Sequence, residues 1–470
     1  MVLVSPPPTT TTAHMPKSYF RSTMTRPSFS DASCFLSGAF LSLFLVWSFS
    51  SYFSDPHIAS SSSPAVIDTT TSIPPSDSCS WGRGSIPNLR YDPDTPSFYD
   101  DANLSYILGQ SRDRMELWDV KKDEWLNAHP SFIPGARERI LLVTGSQPLP
   151  CKNPIGDHLL LRFFKNKVDY CRIHGCEVFY NNVLLQPKMF SFWAKYAAVH
   201  AAMLAHPEAE WIWWVDSDAV FTDMDFSLPL KRYQNHNLVV HGWPSLVFST
   251  EGKSWTSINA GVFLIRNCQW SMDFLERWAG AGPQGNDYEQ WGMTLRNTFK
   301  DKIFPESDDQ AMLIYLILEN EMGSRDKVFI EDEYYFEGYW EEILESLQNV
   351  TERQAALELE VAELRRRHAE KVSEHYGELR HKRLRAAGDV SEHYRKDGLT
   401  RPFVTHFTGC QPCSGNHNKK YSGESCWDGM VRALNFADNQ VLRKYGFVHP
   451  NLLDSAAVTP TPFEYPVVGV

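Results

Sequence analysis

The sequence predicts an α/β fold built on a parallel sheet, because short apolar runs alternate with helical patterns in its central part. Three apolar runs indicate buried strands, at 140–143, 177–180 and 211–215. Helical patterns separate them at 158–174 and 193–204. Because ligands of such sheets bind beyond the carboxyl ends of the strands, the residues that follow these strands are candidates for a functional site.

Further patterns extend this domain on both sides. Two strands are predicted at 238–240 and 260–265, and a helix at 308–318. A helix near 111–127 is predicted in the segment that precedes the domain. Residues 341–398 are unusually charged, with apolar positions at near-helical spacing, and we expect a solvated helical excursion there.

The amino-terminal region has the pattern of a membrane anchor. Residues 32–54 contain no charged side chain and are long enough to cross a hydrocarbon core of roughly 30 Å as a helix. The first thirty residues carry lysine and arginine but no acid, which predicts a cytoplasmic tail at 1–31. A cleaved signal peptide is the alternative, although no clear cleavage site follows closely. Residues 55–135, rich in Ser, Thr and Pro at first, predict a lumenal stem and neck.

Other features fit the secretory lumen. Asn103 and Asn349 begin N-glycosylation sequons. The chain has nine cysteines, and the eight other than Cys34 of the anchor segment could pair in an oxidising compartment, although the sequence does not say which pairs form. Cys410 and Cys413 have the spacing of a zinc half-site or a redox pair, but no second pair of this spacing completes a zinc site, so disulfides are favoured.

Composition narrows the class of partner. The formal net charge is −12, which argues against nucleic-acid binding because polyanions select basic surfaces. Fifteen Trp and nineteen Tyr are enough to line a carbohydrate-binding groove, although core packing accounts for most of them.

Two acidic clusters carry the chemistry. Asp216 and Asp218 follow the buried strand at 211–215, where two carboxylates can converge on one hard cation; a helix cap or a solvated turn is the alternative. His406 is a candidate third ligand, with a core histidine as the alternative. The cluster at 308–310 either faces a substrate or caps the predicted helix.

Five strings resemble plant cell-wall glycosyltransferase family 34, which contains xyloglucan 6-xylosyltransferases and galactomannan galactosyltransferases. The resemblance spans about 139–465 and keeps the motifs in order. The strings are Trp213–Asp223, His241–Trp243, Asn259–Asn267, Glu306–Gln310 and Thr405–Cys413.

The resemblance implies a GT-A type, Rossmann-like single catalytic domain over 136–465, a retaining mechanism, Mn²⁺ and a UDP-sugar donor. It implies these metal ligands: Asp216, Asp218 and His406. It implies these donor contacts: Gly145, Ser146, Lys195, Asp216, Ser217, Asp218, Gly409 and Gln411. It implies that the transferred sugar faces Asp308, Asp309 and Gln310, and the acceptor Asn259, Ala260 and Gly261.

Details of the strings favour the galactomannan branch. Gln411 stands where xylosyltransferase members tend to have lysine, and Asn259-Ala260-Gly261 stands where they tend to have Asn-Thr-Gly. The charged string at 364–373 also looks closer to this branch. We therefore expect transfer of α-galactose from UDP-galactose to O6 of a β-1,4-mannan. A xyloglucan α-1,6-xylosyltransferase using UDP-xylose and a non-catalytic scaffold of a polysaccharide synthase complex are the alternatives.

The remaining expectations concern place and mechanism. A single-pass type II protein of the Golgi membrane, with a lumenal catalytic domain, follows from the anchor and the resemblance. A homodimer or a synthase complex is compatible with the family, but no motif encodes either. Retention allows a covalent intermediate or front-face attack; we favour the latter, with Asp309 and Gln310 stabilising an oxocarbenium-like state.

Overall fold

The structure, a computed structural model, places a mixed six-stranded sheet at the centre of the part of the chain that it describes. The described residues are 95–102, 104–108, 117–132, 139–249, 252–362, 365–367, 369–386 and 401–461. The predicted tail, anchor and stem up to residue 94, and Asn103, lie outside them. Within these ranges, no helix has the length and apolar character needed to cross a membrane.

Eleven strands occur in the described residues. They are β1 (Ile140–Gly145), β2 (Glu177–Asn181), β3 (Trp211–Val215), β4 (Ala219–Phe221), β5 (Leu238–Gly242), β6 (Ile258–Arg266), β7 (Val328–Glu331), β8 (Gly338–Tyr339), β9 (Val404–His406), β10 (Phe447–Val448) and β11 (Thr459–Pro460).

Helices cover both faces of the sheet. They are α1 (Trp118–Ala128), α2 (Gly156–His174), α3 (Ala194–Ala205), α4 (Pro244–Val247), α5 (Gln269–Ala279), α6 (Tyr288–Thr298), α7 (Asp309–Leu318), α8 (Ser324–Lys327), α9 (Trp340–Glu360), α10 (Glu370–Ala386) and α11 (Gly423–Leu442). Short 3₁₀ turns lie at Phe98–Asp100, Ser191–Trp193, Leu230–Tyr233, Glu321–Gly323 and Arg443–Tyr445. The helices predicted at 158–174, 193–204 and 308–318 are α2, α3 and α7.

The main sheet has the strand order β2-β1-β3-β6-β5-β7. Strand β1 pairs in parallel with β2 and β3, which confirms the predicted parallel core. Strand β6 pairs antiparallel with both β3 and β5, while β5 and β7 are parallel. The sheet is therefore mixed: β6 runs antiparallel to both of its neighbours, whereas the other strand pairs are parallel.

Strand β3 shows why the sequence folds this way. All five of its residues are buried, as expected for a central strand with helices on both sides. Ile212 and Trp214 join the apolar cluster formed with α3, α5 and α7. Trp211 and Trp213 face the opposite cluster, with Tyr170 of α2. Its carboxyl end therefore emerges from a rigid core.

A second, three-stranded sheet has the order β4-β9-β8 and lies beside the end of β3. Helix α9 supports it, because Ile343, Leu347 and Val350 are buried with Phe407 and Met430. The predicted charged segment is thus helical, as α9 and α10, but the expectation of a solvated excursion is wrong for α9. Its apolar stripe has a partner surface on α11 that the sequence pattern alone does not reveal.

Three disulfides occur in the described residues, joining Cys151 to Cys413, Cys171 to Cys176 and Cys410 to Cys426. The two cysteines of the predicted CxxC pair therefore bind different partners, which confirms the preference for disulfides over zinc. The Cys151–Cys413 and Cys410–Cys426 bonds join the segment after β9 to the loop before α2 and to α11. Cys268 is a free thiol.

Candidate metal centre

Two carboxylates and an imidazole meet at the carboxyl end of β3. Asp216 follows β3 directly, Asp218 precedes β4, and His406 ends β9, where it pairs with Ala219. The Nε2 atom of His406 lies 3.3 Å from Oδ1 of Asp218 and 3.7 Å from Oδ2 of Asp216. One ligand atom from each residue lies within 4.8 Å of the others. The structure thus brings together the three residues predicted as metal ligands.

The far side of the His406 ring is held by a buried carboxylate. Its Nδ1 lies 3.0 Å from Oε1 of Glu337 and 3.3 Å from Oγ1 of Thr408. Burial lowers the pKa of His406, but Asp218 and Glu337 outweigh burial and raise the pKa to about 10. A cation at Nε2 would take the place of that proton, since imidazole binds metals in its neutral form. A carboxylate on the other ring nitrogen is the usual support of a metal-binding histidine.

Gly261 leaves the space that such a cation needs. A Cβ atom built on it would lie 2.3 Å from Cε1 of His406 and 2.7 Å from Oδ2 of Asp216. Its carbonyl accepts from the N–H of Asp216 at 2.9 Å, and its own N–H donates to Oδ1 of Asn259 at 2.6 Å. Two carboxylates and one imidazole suit a hard or borderline divalent cation, so the residues fit Mn²⁺ or Mg²⁺.

Lys195 connects this group to the second acidic cluster. Its buried Nζ lies 2.9 Å from Oδ2 of Asp309, 3.5 Å from Oδ1 of Asp216 and 3.0 Å from the carbonyl of Ala260. Burial lowers its pKa, but Asp216 and Asp309 outweigh that and raise the pKa above the usual lysine value. The hydroxyl of Tyr196 also donates to Oδ2 of Asp309, at 3.2 Å. A charged lysine therefore bridges the two acidic clusters.

The residues at 308–310 have different surroundings. Asp308 caps α7, accepting from the N–H of Ala311 at 2.8 Å, and its other oxygen lies 3.1 Å from Nζ of Lys302. These are the contacts of the capping alternative. Gln310 instead reaches β6: its Oε1 accepts from the N–H of Ala260 at 3.3 Å, and its amide donates to the carbonyl of Trp255 at 2.8 Å.

The predicted acceptor residues thus join the two clusters largely through their backbone. Ala260 is buried, so its N–H and carbonyl carry its contacts to Gln310 and Lys195. Asn259 holds Gly261 through its side chain. The geometry brings 259–261 beside both the metal triad and α7.

The remaining predicted donor residues lie in two loops and a turn. Gly145 ends β1, and the hydroxyl of Ser146 lies 2.7 Å from that of Tyr180 at the end of β2. Ser217 lies between the two carboxylates. Gly409 has φ of 84°, which favours glycine, and the exposed Gln411 accepts from the hydroxyl of Ser414 at 2.8 Å. The structure shows this local contact for Gln411 and none to the triad.

The profile of the galactosyl transferase GMA12/MNN10 family matches residues 136–417. The chain belongs to this family. Its matched region contains every residue of the triad, Lys195 and α7 with its acidic start. Family membership confirms the resemblance inferred from the five strings, and it makes the protein a glycosyltransferase.

Curated family members match along most of their length. Galactomannan galactosyltransferase 1 of Cyamopsis tetragonoloba is 55% identical over 443 residues, 93% of this chain and 96% of that protein. Glycosyltransferase 6 of Arabidopsis thaliana is 53% identical over 444 residues, 94% and 97% of the two chains. A protein of Arabidopsis thaliana named as a probable xyloglucan 6-xylosyltransferase 3 is 44% identical over 356 residues, 75% and 68%.

Among solved structures, the galactosyltransferase LgtC in complex with donor and acceptor sugar analogs is 9% identical. The match covers 62% of this chain and 95% of that one, with a TM-score of 0.24. A similarity with so low a TM-score supports no inference about the site of this family member.

Glu337 is a site residue that the sequence did not reveal. It lies just before β8, whose pairing with β9 brings it to His406 across 69 positions of sequence. Glu337 is one of several acids in an aromatic and acidic stretch, and its spacing does not mark it as a metal-site residue. Only the pairing of β8 with β9 identifies it.

Proposed function

We propose that this family member transfers α-galactose from UDP-galactose to O6 of mannosyl residues in a β-1,4-mannan, with retention of configuration. The observation that carries the proposal is the triad of Asp216, Asp218 and His406 at the carboxyl end of β3. There a divalent cation, Mn²⁺ in this proposal, would neutralise the diphosphate of the donor as it leaves.

The residues around the triad support a division of roles. Lys195 holds Asp309 in place, because its ammonium and the hydroxyl of Tyr196 both bind the same carboxylate oxygen. A carboxylate paired in this way is a poor nucleophile, which favours electrostatic stabilisation of an oxocarbenium-like state over a covalent intermediate. The amide of Gln310 is oriented by two backbone groups and would sit beside the sugar. The acceptor hydroxyl would then attack from the face that the diphosphate leaves.

The choice of galactose rests on similarity. The relative named as a galactomannan galactosyltransferase is 55% identical over nearly the whole chain, whereas the relative named as a xyloglucan xylosyltransferase is 44% identical over less of it. A xylosyltransferase is therefore the second candidate, and pocket differences near C6 of the donor sugar would separate the two.

The compartment is part of the proposal. We infer a Golgi membrane protein of type II, anchored through residues 32–54, with the family domain in the lumen. Three disulfides support an oxidising compartment. Asn349 of its sequon is exposed on α9, so it is accessible to glycosylation.

A donor–acceptor matrix tests the function. The purified protein is offered UDP-galactose or UDP-xylose with manno- or cello-oligosaccharides and Mn²⁺, and products are identified by mass spectrometry and NMR of the new anomeric proton. We expect galactose on mannan oligomers with an α linkage. Xylose transferred to cello-oligomers alone would support the second candidate. No transfer by a folded protein in any pairing would support the non-catalytic scaffold.

A further inference from the structure

A fully buried lysine lies beneath the loop that carries the acidic pair. Lys167 of α2 is 0% exposed. Its Nζ donates to the carbonyl of Ala219 at 2.7 Å and lies 3.4 Å from the carbonyl of Ser217. These two carbonyls flank Asp218 in sequence. Lys167 therefore holds the backbone on both sides of Asp218, one of the proposed metal ligands.

Burying a lysine costs free energy of folding, so its presence at this position indicates a specific role. Burial lowers the pKa of Lys167 to about 7, against the opposing effect of Asp218 and Asp216. An apolar side chain of similar size would fill the same space between α2 and β4 without that penalty. Its donors serve the carbonyls in either charge state, since a neutral amine still carries two N–H groups.

The hydrogen bonds of Lys167 also affect the position of His406, the third member of the triad. Ala219 pairs with His406 in the antiparallel β4–β9 ladder, so fixing Ala219 also fixes the strand that ends in His406. The N–H of Phe407 donates to the carbonyl of Asp218 at 3.2 Å, which closes the same connection from the other side. The amine of Lys167 is thus connected to the backbone on both sides of Asp218 and, through Ala219, to the strand that ends in His406.

We propose that Lys167 is a positioning residue that holds the loop from Asp216 to Ala219 in its cation-binding conformation before the cation arrives. The inference rests on the proposed metal site. With the carbonyls of Ser217 and Ala219 held by Lys167, the carboxylates on either side of Ser217 stay converged on His406. Without that hold, two like charges would separate, and cation binding would have to include the cost of bringing them together.

The neighbouring residue provides a matched control. Asn166, also on α2 and buried, binds the backbone of Phe221 at the far end of β4: its Oδ1 accepts from the N–H at 2.8 Å and its Nδ2 donates to the carbonyl at 3.0 Å. Removing either side chain loosens the same strand from the same helix. Of these two side chains, only that of Lys167 contacts the loop that carries Asp216 and Asp218.

The test compares K167M with N166A in the full-length purified chain, without nucleotide. Mn²⁺ affinity is measured by the loss of the free Mn²⁺ electron paramagnetic resonance signal, and stability by urea unfolding. We expect K167M to weaken Mn²⁺ binding about 10–100-fold, the range found when a ligand-supporting contact is lost. We expect N166A to lower stability to a similar degree and to bind Mn²⁺ like the unmodified chain.

Wild-type affinity in K167M would overturn the proposal, and so would an equal loss in N166A, which would reduce Lys167 to strand packing. If K167M does not fold, K167Q decides the question, because its shorter amide cannot reach both carbonyls; wild-type affinity in a folded K167Q overturns the proposal. Failure of the unmodified chain to bind Mn²⁺ would refute the metal site itself. Normal Mn²⁺ binding without sugar transfer would refute the proposed activity and leave Lys167 as inferred.

Discussion

Replacing Gly261 with alanine adds one methyl group at the centre of the proposed metal site. The new Cβ would lie 2.3 Å from Cε1 of His406 and 2.7 Å from Oδ2 of Asp216, below the 3.0 Å that real Cβ contacts reach. The imidazole would therefore have to move by about 0.7 Å, in a core too dense to yield freely. Metal–ligand distances tolerate about 0.2 Å, so the triad would no longer close around one cation.

We expect G261A to weaken Mn²⁺ binding by at least about 10-fold and to lower transfer by about 100-fold, the cost of a displacement near 1 Å. Overpacking should cost about 1–3 kcal/mol of stability. Calorimetric Mn²⁺ titration, initial rates and thermal unfolding measure these effects. Gly252, whose Cβ would meet nothing within 4 Å, gives the matched control G252A, which should change neither binding nor rate. A G261A protein with normal Mn²⁺ affinity and normal transfer would refute the placement of the cation.

The other predictions concern the support of the triad, pH and cross-links. E337Q keeps the shape of the buried partner of His406 but removes its charge, so Mn²⁺ affinity should fall about 10–100-fold in titrations; an unchanged affinity would show that the contact is only structural. Burial raises the pKa of Asp308 to about 6, above its unfolded value, so the stability it contributes is complete below about pH 4 and lost as the pH rises through 6. D308N, which keeps the cap, should therefore remove a fall of up to about 3 kcal/mol in unfolding free energy between these pH values, and an unaltered pH profile would contradict this. Replacing Cys151 and Cys413 with serine opens a cross-link between residues 262 positions apart and should cost about 2–5 kcal/mol in guanidinium unfolding; equal stability would mean that the bond does not form.

The local patterns predicted the elements well where burial was uniform. The apolar run at 211–215 is β3, and the acidic pair after it lies beyond the carboxyl end of this strand, where a ligand was expected. The pattern failed where a helix had a hidden partner: the charge of 341–398 predicted a solvated helical excursion, yet Leu347 of α9 is fully buried against the β4-β9-β8 sheet and α11. Charge content describes the outer face of a helix and says little about what covers its apolar stripe.

The sequence by itself determined the family, the alternation of strands and helices, and the residue types that a divalent cation requires at Asp216 and Asp218. It named His406 only through resemblance, since a histidine between apolar residues is ordinarily a core residue. Tertiary structure decided which groups meet: the pairing of β4 and β8 with β9 brings Glu337 to His406, and α2 brings Lys167 beneath the acidic loop. These contacts join residues tens to hundreds of positions apart, and a periodic pattern carries no information about separations of that length. The residues of the proposed cation site were therefore visible in the sequence, whereas the buried groups that support them became visible only once the strands were paired.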